Sequence, residues 1–173
     1  MPLRLVLYQP EIPQNAGTML RMCACMGVTA VIVGPAGFPF SDRAFRRAGL
    51  DYLDHLTVER HSSIGAFETW RRGTRHRLVL LTTGLGATPY TAHAFDAGDL
   101  LMVGRESAGV PGAIHARADV RLTVPMVRGM RSLNVAAAAA MVLGEALRQI
   151  GAFPHSPQAG ADAIVGETTE PAS

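Results

Sequence analysis

Three short stretches concentrate the polar side chains with which this chain could do chemistry. In the first, PQNAGTMLR, Asn15 and Arg21 stand six residues apart, on neighbouring turns of a helix, where both could serve one site near its N-terminus. In the second, GRESAGVP, Glu106 lies between Gly104 and Gly109, glycines that permit tight backbone paths around the carboxylate. The third, VPMVRGMRSLNV, reads as irregular backbone between Val124 and Asn134. Two familiar phosphate chemistries are excluded. No G-x-G-x-x-G follows the first apolar run, so the dinucleotide fingerprint is missing. The chain has no lysine, so a P-loop of the form GxxxxGK[ST] cannot be built.

All 16 basic side chains are arginine. Three of the 14 acids, Asp162, Glu167 and Glu170, fall in the last dozen residues, so the body carries +5 against +2 for the whole chain. A basic, arginine-only body suits phosphate recognition, because a planar guanidinium binds oxyanions bidentately, and a codon bias toward arginine accounts for it as well. Cys23 and Cys25 are too close for an ordinary disulfide and lack the second pair that a zinc site needs; both are expected to be buried thiols. The six histidines stand apart from acids and cysteines at ligand spacing, so no metal is expected.

The elements that must position these residues follow from apolar patterning. Strands are predicted over residues 4–8, 29–33, 55–58, 77–83, 100–104 and 120–124, as short apolar runs separated by helix-length segments. Helices are predicted over 15–26, 41–48, 62–72, 111–116 and 132–150, with Ser41, Ser62 and Ser132 as capping residues. Runs buried on both faces with helices between them indicate an α/β fold with a parallel sheet. Ligands in such sheets bind at the carboxyl ends of strands, so the three stretches are expected to converge. The alanine run 136–140, extended by Gly144, lets another backbone approach, either within the chain or across a subunit interface.

With 48% hydrophobic and 17% charged residues, the 173-residue chain is expected to form one domain over 1–155, followed by a disordered tail over 156–173. The stretch VAAAAAMVLG falls short of the roughly 20 apolar residues that span a bilayer. The N-terminus lacks the pattern of a secretory signal. The expectation is a cytoplasmic protein with no membrane partner.

PxNxGxxxR, GxExxG and V-P-M followed by S-L-N-V resemble, in order and spacing, the three motifs of the knotted SPOUT-type RNA ribose methyltransferases, across about 120 residues of the chain. RRAGLDY at 46–52 and the lack of an appended RNA-binding domain make it similar to the small members that methylate the 2'-hydroxyl of the tRNA wobble nucleotide. The resemblance implies a mostly parallel sheet flanked by helices, with the C-terminal part threaded into a deep trefoil knot, a rare exception to unknotted topology. It implies S-adenosylmethionine as methyl donor, with Leu81, Gly104, Val124 and Ser132 lining its pocket and Met126 and Leu133 close by.

The same resemblance assigns catalysis to Arg21. A guanidinium is normally protonated, which favours binding a substrate phosphate and stabilising the developing alkoxide, while service as a base stays open. Asn15, Glu106 and Asn134 would hold the arginine and adjoining loops, and Ser132 would orient donor or hydroxyl. A homodimer is implied, with donor pocket and arginine supplied by different subunits. The partner is tRNA, for which Arg43, Arg46, Arg47, Arg128 and Arg131 are the expected phosphate contacts, while Arg71, Arg72, Arg75 and Arg77 are expected to be solvated charges. Two other readings stand beside this one: the same chemistry on another tRNA position or on ribosomal RNA, and a non-catalytic dimer that binds RNA or S-adenosylmethionine. Taken singly, Arg21 fits a surface ion pair, Glu106 a loop acid and Ser132 a helix cap.

Overall fold

Strands without polar alternation are stable only when helices cover both of their faces, and the computed structural model, which describes residues 2–38, 55–84 and 86–154, has that arrangement. In chain order the elements are β1 (Arg4–Tyr8), α1 (Pro13–Met26), β2 (Thr29–Val33), β3 (Val58–His61), α2 (Ile64–Arg72) and β4 (Leu78–Leu81). Then come β5 (Thr88–Pro89), a 3-10 turn at Tyr90–Ala92, β6 (Leu100–Val103), α3 (Gly112–Arg117), β7 (Val120–Thr123) and α4 (Val135–Ile150). All strand pairings are parallel, in the order β3-β2-β1-β6-β4-β7-β5.

Alternate residues of the central strands feed two cores. Leu5, Leu7, Ala30, Ile32, Leu101 and Val103 pack with Met19, Leu20 and Cys23 of α1 and with Ala139, Val142 and Leu143 of α4. Val6, Tyr8, Val31, Leu100 and Met102 face the other way, onto Phe67 of α2 and Ile114 of α3. The chain leaving β1 therefore enters a helix on one face of the sheet, and the chain leaving the adjacent β6 enters a helix on the other. That divergence opens a crevice at the carboxyl ends of the strands, the usual ligand position in such sheets.

Several expectations need correction. The third strand is Val58–His61 rather than 55–58; as an edge strand paired only with β2, it tolerates Glu59, Arg60 and His61. The two-residue β5 was not expected, and its Pro89 suits an edge because a proline cannot donate to a ladder. The GRESAGVP loop consequently follows the sixth strand and the VPM loop the seventh. Helix α2 is capped by Ser63, whose hydroxyl accepts from the Ala66 N–H at 3.2 Å, and not by Ser62. Helix α4 begins at Val135 and is capped by Asn134, not by Ser132. Cys25 is exposed; only Cys23 is buried, and burial pushes its thiol up to about 12.

The expected helix over 41–48, the string RRAGLDY and the tail over 156–173 lie outside the described residues. Ala136 and Ala139 are buried inside the chain, whereas Ala137, Ala140 and Met141 are exposed on the outer side of α4. No helix among the described residues is long and apolar enough to cross a membrane.

The amino ends of the strands are tied by ion pairs. Asp99, fully buried just before β6, accepts from Arg77 Nε and Nη2, both at 2.8 Å, and from the Asp96 N–H at 3.0 Å. Its own carbonyl accepts the Arg4 N–H at 3.1 Å. Asp119, just before β7, accepts from Arg71 at 3.0 Å and from the Leu78 N–H at 2.7 Å. Arg71 and Arg77 are thus structural groups and not solvated charges, while Arg72 and Arg75 are exposed.

At the carboxyl ends, close backbone approach replaces charge. A Cβ on Gly104 would lie 2.5 Å from the Gly109 carbonyl carbon, and Gly109 itself holds a left-handed φ of 63°. The pair is locked by Arg105 N–H to Gly109 carbonyl at 3.0 Å and Gly109 N–H to Arg105 carbonyl at 2.8 Å.

Asp99→Ala is expected to lower stability by about 2–3 kcal/mol in urea denaturation, less than a fully buried pair would cost because Arg77 reaches solvent. Gly104→Ala is expected to lose at least ~2 kcal/mol by overpacking backbone against backbone, checked by the same titration; a shift under ~0.5 kcal/mol would contradict the contact.

Candidate functional site

The loop leaving β1 turns sharply at Gln9, whose φ is 44°, and enters α1 with Pro13 in the first turn. Proline is well placed there, since its missing N–H is one that the helix would leave unpaired. Asn15 is thereby fixed in the same turn, beside the loop leaving β6.

One carboxylate joins these loops. Glu106 Oε1 accepts from Asn15 Nδ2 at 3.2 Å and Glu106 Oε2 from the Glu11 N–H at 3.0 Å. With its amide nitrogen spent on the carboxylate, Asn15 offers Oδ1, which accepts from Asn134 Nδ2 at 3.0 Å. Asn134 Oδ1 is left to accept the Ala136 and Ala137 N–H groups at 2.9 and 3.2 Å, capping α4. The bonds run one way, from the carboxylate through two amides to a helix terminus. A reciprocal clasp runs back, with the Glu11 carboxylate accepting from the Ser107 N–H and hydroxyl, both at 3.0 Å. Those Ser107 bonds hold the Glu11 carboxyl below the usual carboxylate range, with Arg105 adding a smaller pull.

Between these loops and those leaving β4 and β7 lies a cavity of about 760 Å³. Its wall includes Asn15, Leu81, Gly104, Glu106, Val124, Met126, Ser132, Leu133 and Asn134, so every residue expected at the donor pocket is brought together. The lining mixes apolar Leu81, Val103, Val110 and Val124 with polar Thr82, Thr83, Arg105 and His115, and the missing side chain at Gly104 lets the Gly109 backbone close against the strand end. A nucleoside-sized ligand fits a cavity of this volume.

Arg21 does not join them. Six residues at about 100° each carry it roughly 120° around α1 from Asn15, and it is exposed outside the cavity wall. The expectation that both would serve one site within the chain is corrected on that geometry. Arg128 and Arg131 are exposed on the β7–α4 loop beside Val127 and Met130, which are 81% and 63% exposed. Arg43, Arg46 and Arg47 lie outside the described residues.

Sequence reasoning missed Glu11, Arg105, Ser107, Thr82 and His115. Ser107 sits inside GRESAGVP and Glu11 two residues before PQNAGTMLR, but a clasp between residues 96 apart leaves no spacing signal. His115, on α3, reaches the wall only because that helix covers the second face of the sheet. Among the described residues, no group of three or more His, Cys, Asp or Glu side chains is placed to hold a metal.

The model of the SpoU rRNA Methylase family matches residues 2–144. A protein of Beijerinckia indica subsp. indica, named tRNA (cytidine(34)-2'-O)-methyltransferase, is 63% identical over 149 residues, which is 86% of this chain and 92% of that protein. A solved structure concerned with 2-OH methylation of C/U34 on tRNA is 40% identical, with a TM-score of 0.77, covering 85% of this chain and 95% of the other. The SpoU methyltransferase AviRb from Streptomyces viridochromogenes, solved in complex with the cofactor AdoMet, is 27% identical with a TM-score of 0.76, covering 86% of this chain and 60% of that one. The match over residues 2–144, together with these relatives, places the chain in the SpoU rRNA methylase family.

Proposed function

We propose that this chain transfers the methyl group of S-adenosylmethionine to the ribose 2'-hydroxyl of the wobble nucleotide, position 34, in tRNA. The observation that carries the reading is the hydrogen-bonded line Glu106–Asn15–Asn134, which draws all three motif loops to one cavity. The relative from Beijerinckia indica supports the position on tRNA, and the AdoMet-bound SpoU neighbour supports the donor. The proposed substrate puts the protein in the cytoplasm.

S-adenosylmethionine supplies a methyl group on a sulfonium, activated for direct displacement. The chain must then hold the donor, bring the hydroxyl oxygen in line and stabilise the charge that grows on it. Leu81, Gly104, Val124, Met126 and Leu133 would enclose the donor, and Ser132 at the rim would orient donor or hydroxyl. Asn15, Glu106 and Asn134 are committed to one another, so their part is to hold the loops in place.

Arg21 would bind a substrate phosphate and stabilise the developing alkoxide. Its position outside its own chain's cavity fits a homodimer in which each arginine serves the partner's donor pocket. The exposed outer face of α4, with Ala137, Ala140 and Met141, offers a surface for such pairing. Arg128 and Arg131, exposed on the β7–α4 loop, would meet the phosphates of the anticodon arm together with Arg43, Arg46 and Arg47. The deep trefoil knot belongs to the same reading, with the C-terminal part of the chain threaded through a loop.

Calorimetry in the presence of EDTA should show S-adenosylmethionine binding; no binding at millimolar donor with RNA present would remove the reading. Labelled donor and total tRNA should give a 2'-O-methylated nucleoside that maps to position 34, whereas label at another tRNA position or in ribosomal RNA would reassign the substrate. Arg21→Ala should lower kcat by about 10²–10³-fold with donor affinity nearly unchanged. Retained turnover would strike Arg21 from the mechanism. Sedimentation should give twice the 18.4 kDa chain mass.

A further inference from the structure

Arg105 is the first residue after Gly104, and its backbone is pinned by the two-way bridge to Gly109. Its side chain is half-buried and lines the cavity, and its Nε is shut away from solvent with no hydrogen-bond partner. Among the described residues, its guanidinium has no ion pair. Its charge acts on the Glu11 carboxylate, whose two oxygens accept from Ser107 and not from Arg105.

Arg4 and Arg71 also bury an unpartnered Nε, but among the described residues each partly buried arginine other than Arg105 has an ion pair. Arg4 has the Glu59 carboxylate at 3.3 Å, Arg71 has Asp119 at 3.0 Å and Arg77 has Asp99 at 2.8 Å. A guanidinium cannot shed its proton to relieve burial, so a half-buried one with no carboxylate in direct contact is costly. Its planar fork matches an oxyanion bidentately, and here the fork borders a cavity that a ligand must enter.

We propose that Arg105 is a binding residue for an oxyanion that arrives with a ligand. The proposal rests on the methyl-transfer reading, under which two groups of that chemistry reach the cavity: the carboxylate of the donor's methionine portion and a phosphodiester of the substrate RNA. None of the hydrogen bonds of the Glu106–Asn15–Asn134 line involves the Arg105 side chain, so its removal leaves those bonds standing.

The test uses the full chain with Arg105→Gln and Arg105→Met, the second keeping the apolar stem should the first fail to fold. Calorimetry compares S-adenosylhomocysteine with 5'-methylthioadenosine, which carries the same nucleoside without the amino-acid carboxylate. Anisotropy over a salt series measures an anticodon stem-loop RNA. If the carboxylate is the guest, S-adenosylhomocysteine weakens about tenfold while methylthioadenosine and RNA hold their affinities. If the phosphate is the guest, the RNA weakens about tenfold, the salt slope falls by roughly one contact and both nucleosides hold theirs.

Wild-type affinity for all three probes in the variants overturns the proposal and leaves the methyl-transfer reading intact. A wild-type chain that binds none of the three overturns both.

Discussion

The site depends on one carboxylate with two acceptor oxygens. Glu106 grips the Glu11 backbone with one oxygen and the Asn15 amide with the other, and this forces the orientation of every hydrogen bond that follows. An amide flipped at Asn15 would present a second acceptor to the carboxylate and a donor to Asn134, breaking both contacts at once. The loops from β1, β6 and β7 are thereby held by groups that can be satisfied in only one arrangement. A charged acceptor makes the first link stronger than a neutral one would be.

That arrangement leaves the three motif side chains structural. The residues that look most chemical in the sequence are spent on holding loops, and the remaining wall mixes apolar Leu81, Val103, Val124 and Met126 with Thr82, Thr83, Arg105 and His115. For the proposed displacement this is an advantage: the donor brings its own activation, so the chain's work is enclosure, alignment and stabilisation of one growing charge.

Much of this was legible in the sequence. Strands β1, β2 and β6 were plain because their residues are buried on both faces, and the convergence of the three loops followed from the rule for strand ends in parallel sheets. The misses have physical causes. Edge strand β3 carries polar residues on an exposed flank, so the apolar run HLTV drew the expectation three residues too early. Ser132 looked like a cap by type, yet Asn134 holds that position because it also bonds to Asn15, a partner 119 residues away. Asn15 and Arg21 looked like neighbours by spacing, but helical rotation separates their faces. Arg105 carried no signal at all: its unpaired state is a property of the folded wall and not of the string GRES.

Because every strand points the same way, the sheet has two chemically unlike rims. Arg77, Asp99, Arg71 and Asp119 brace the amino-end rim, while the motif residues that line the cavity sit on the opposite one. Variation at the braced rim can raise or lower heat tolerance without touching the ligand, and variation at the other can change what is accepted without loosening the brace. A lineage adapting to a hotter habitat and one adapting to a different set of isoacceptors would therefore accumulate their substitutions in separate halves of the molecule, with little interference between the two histories.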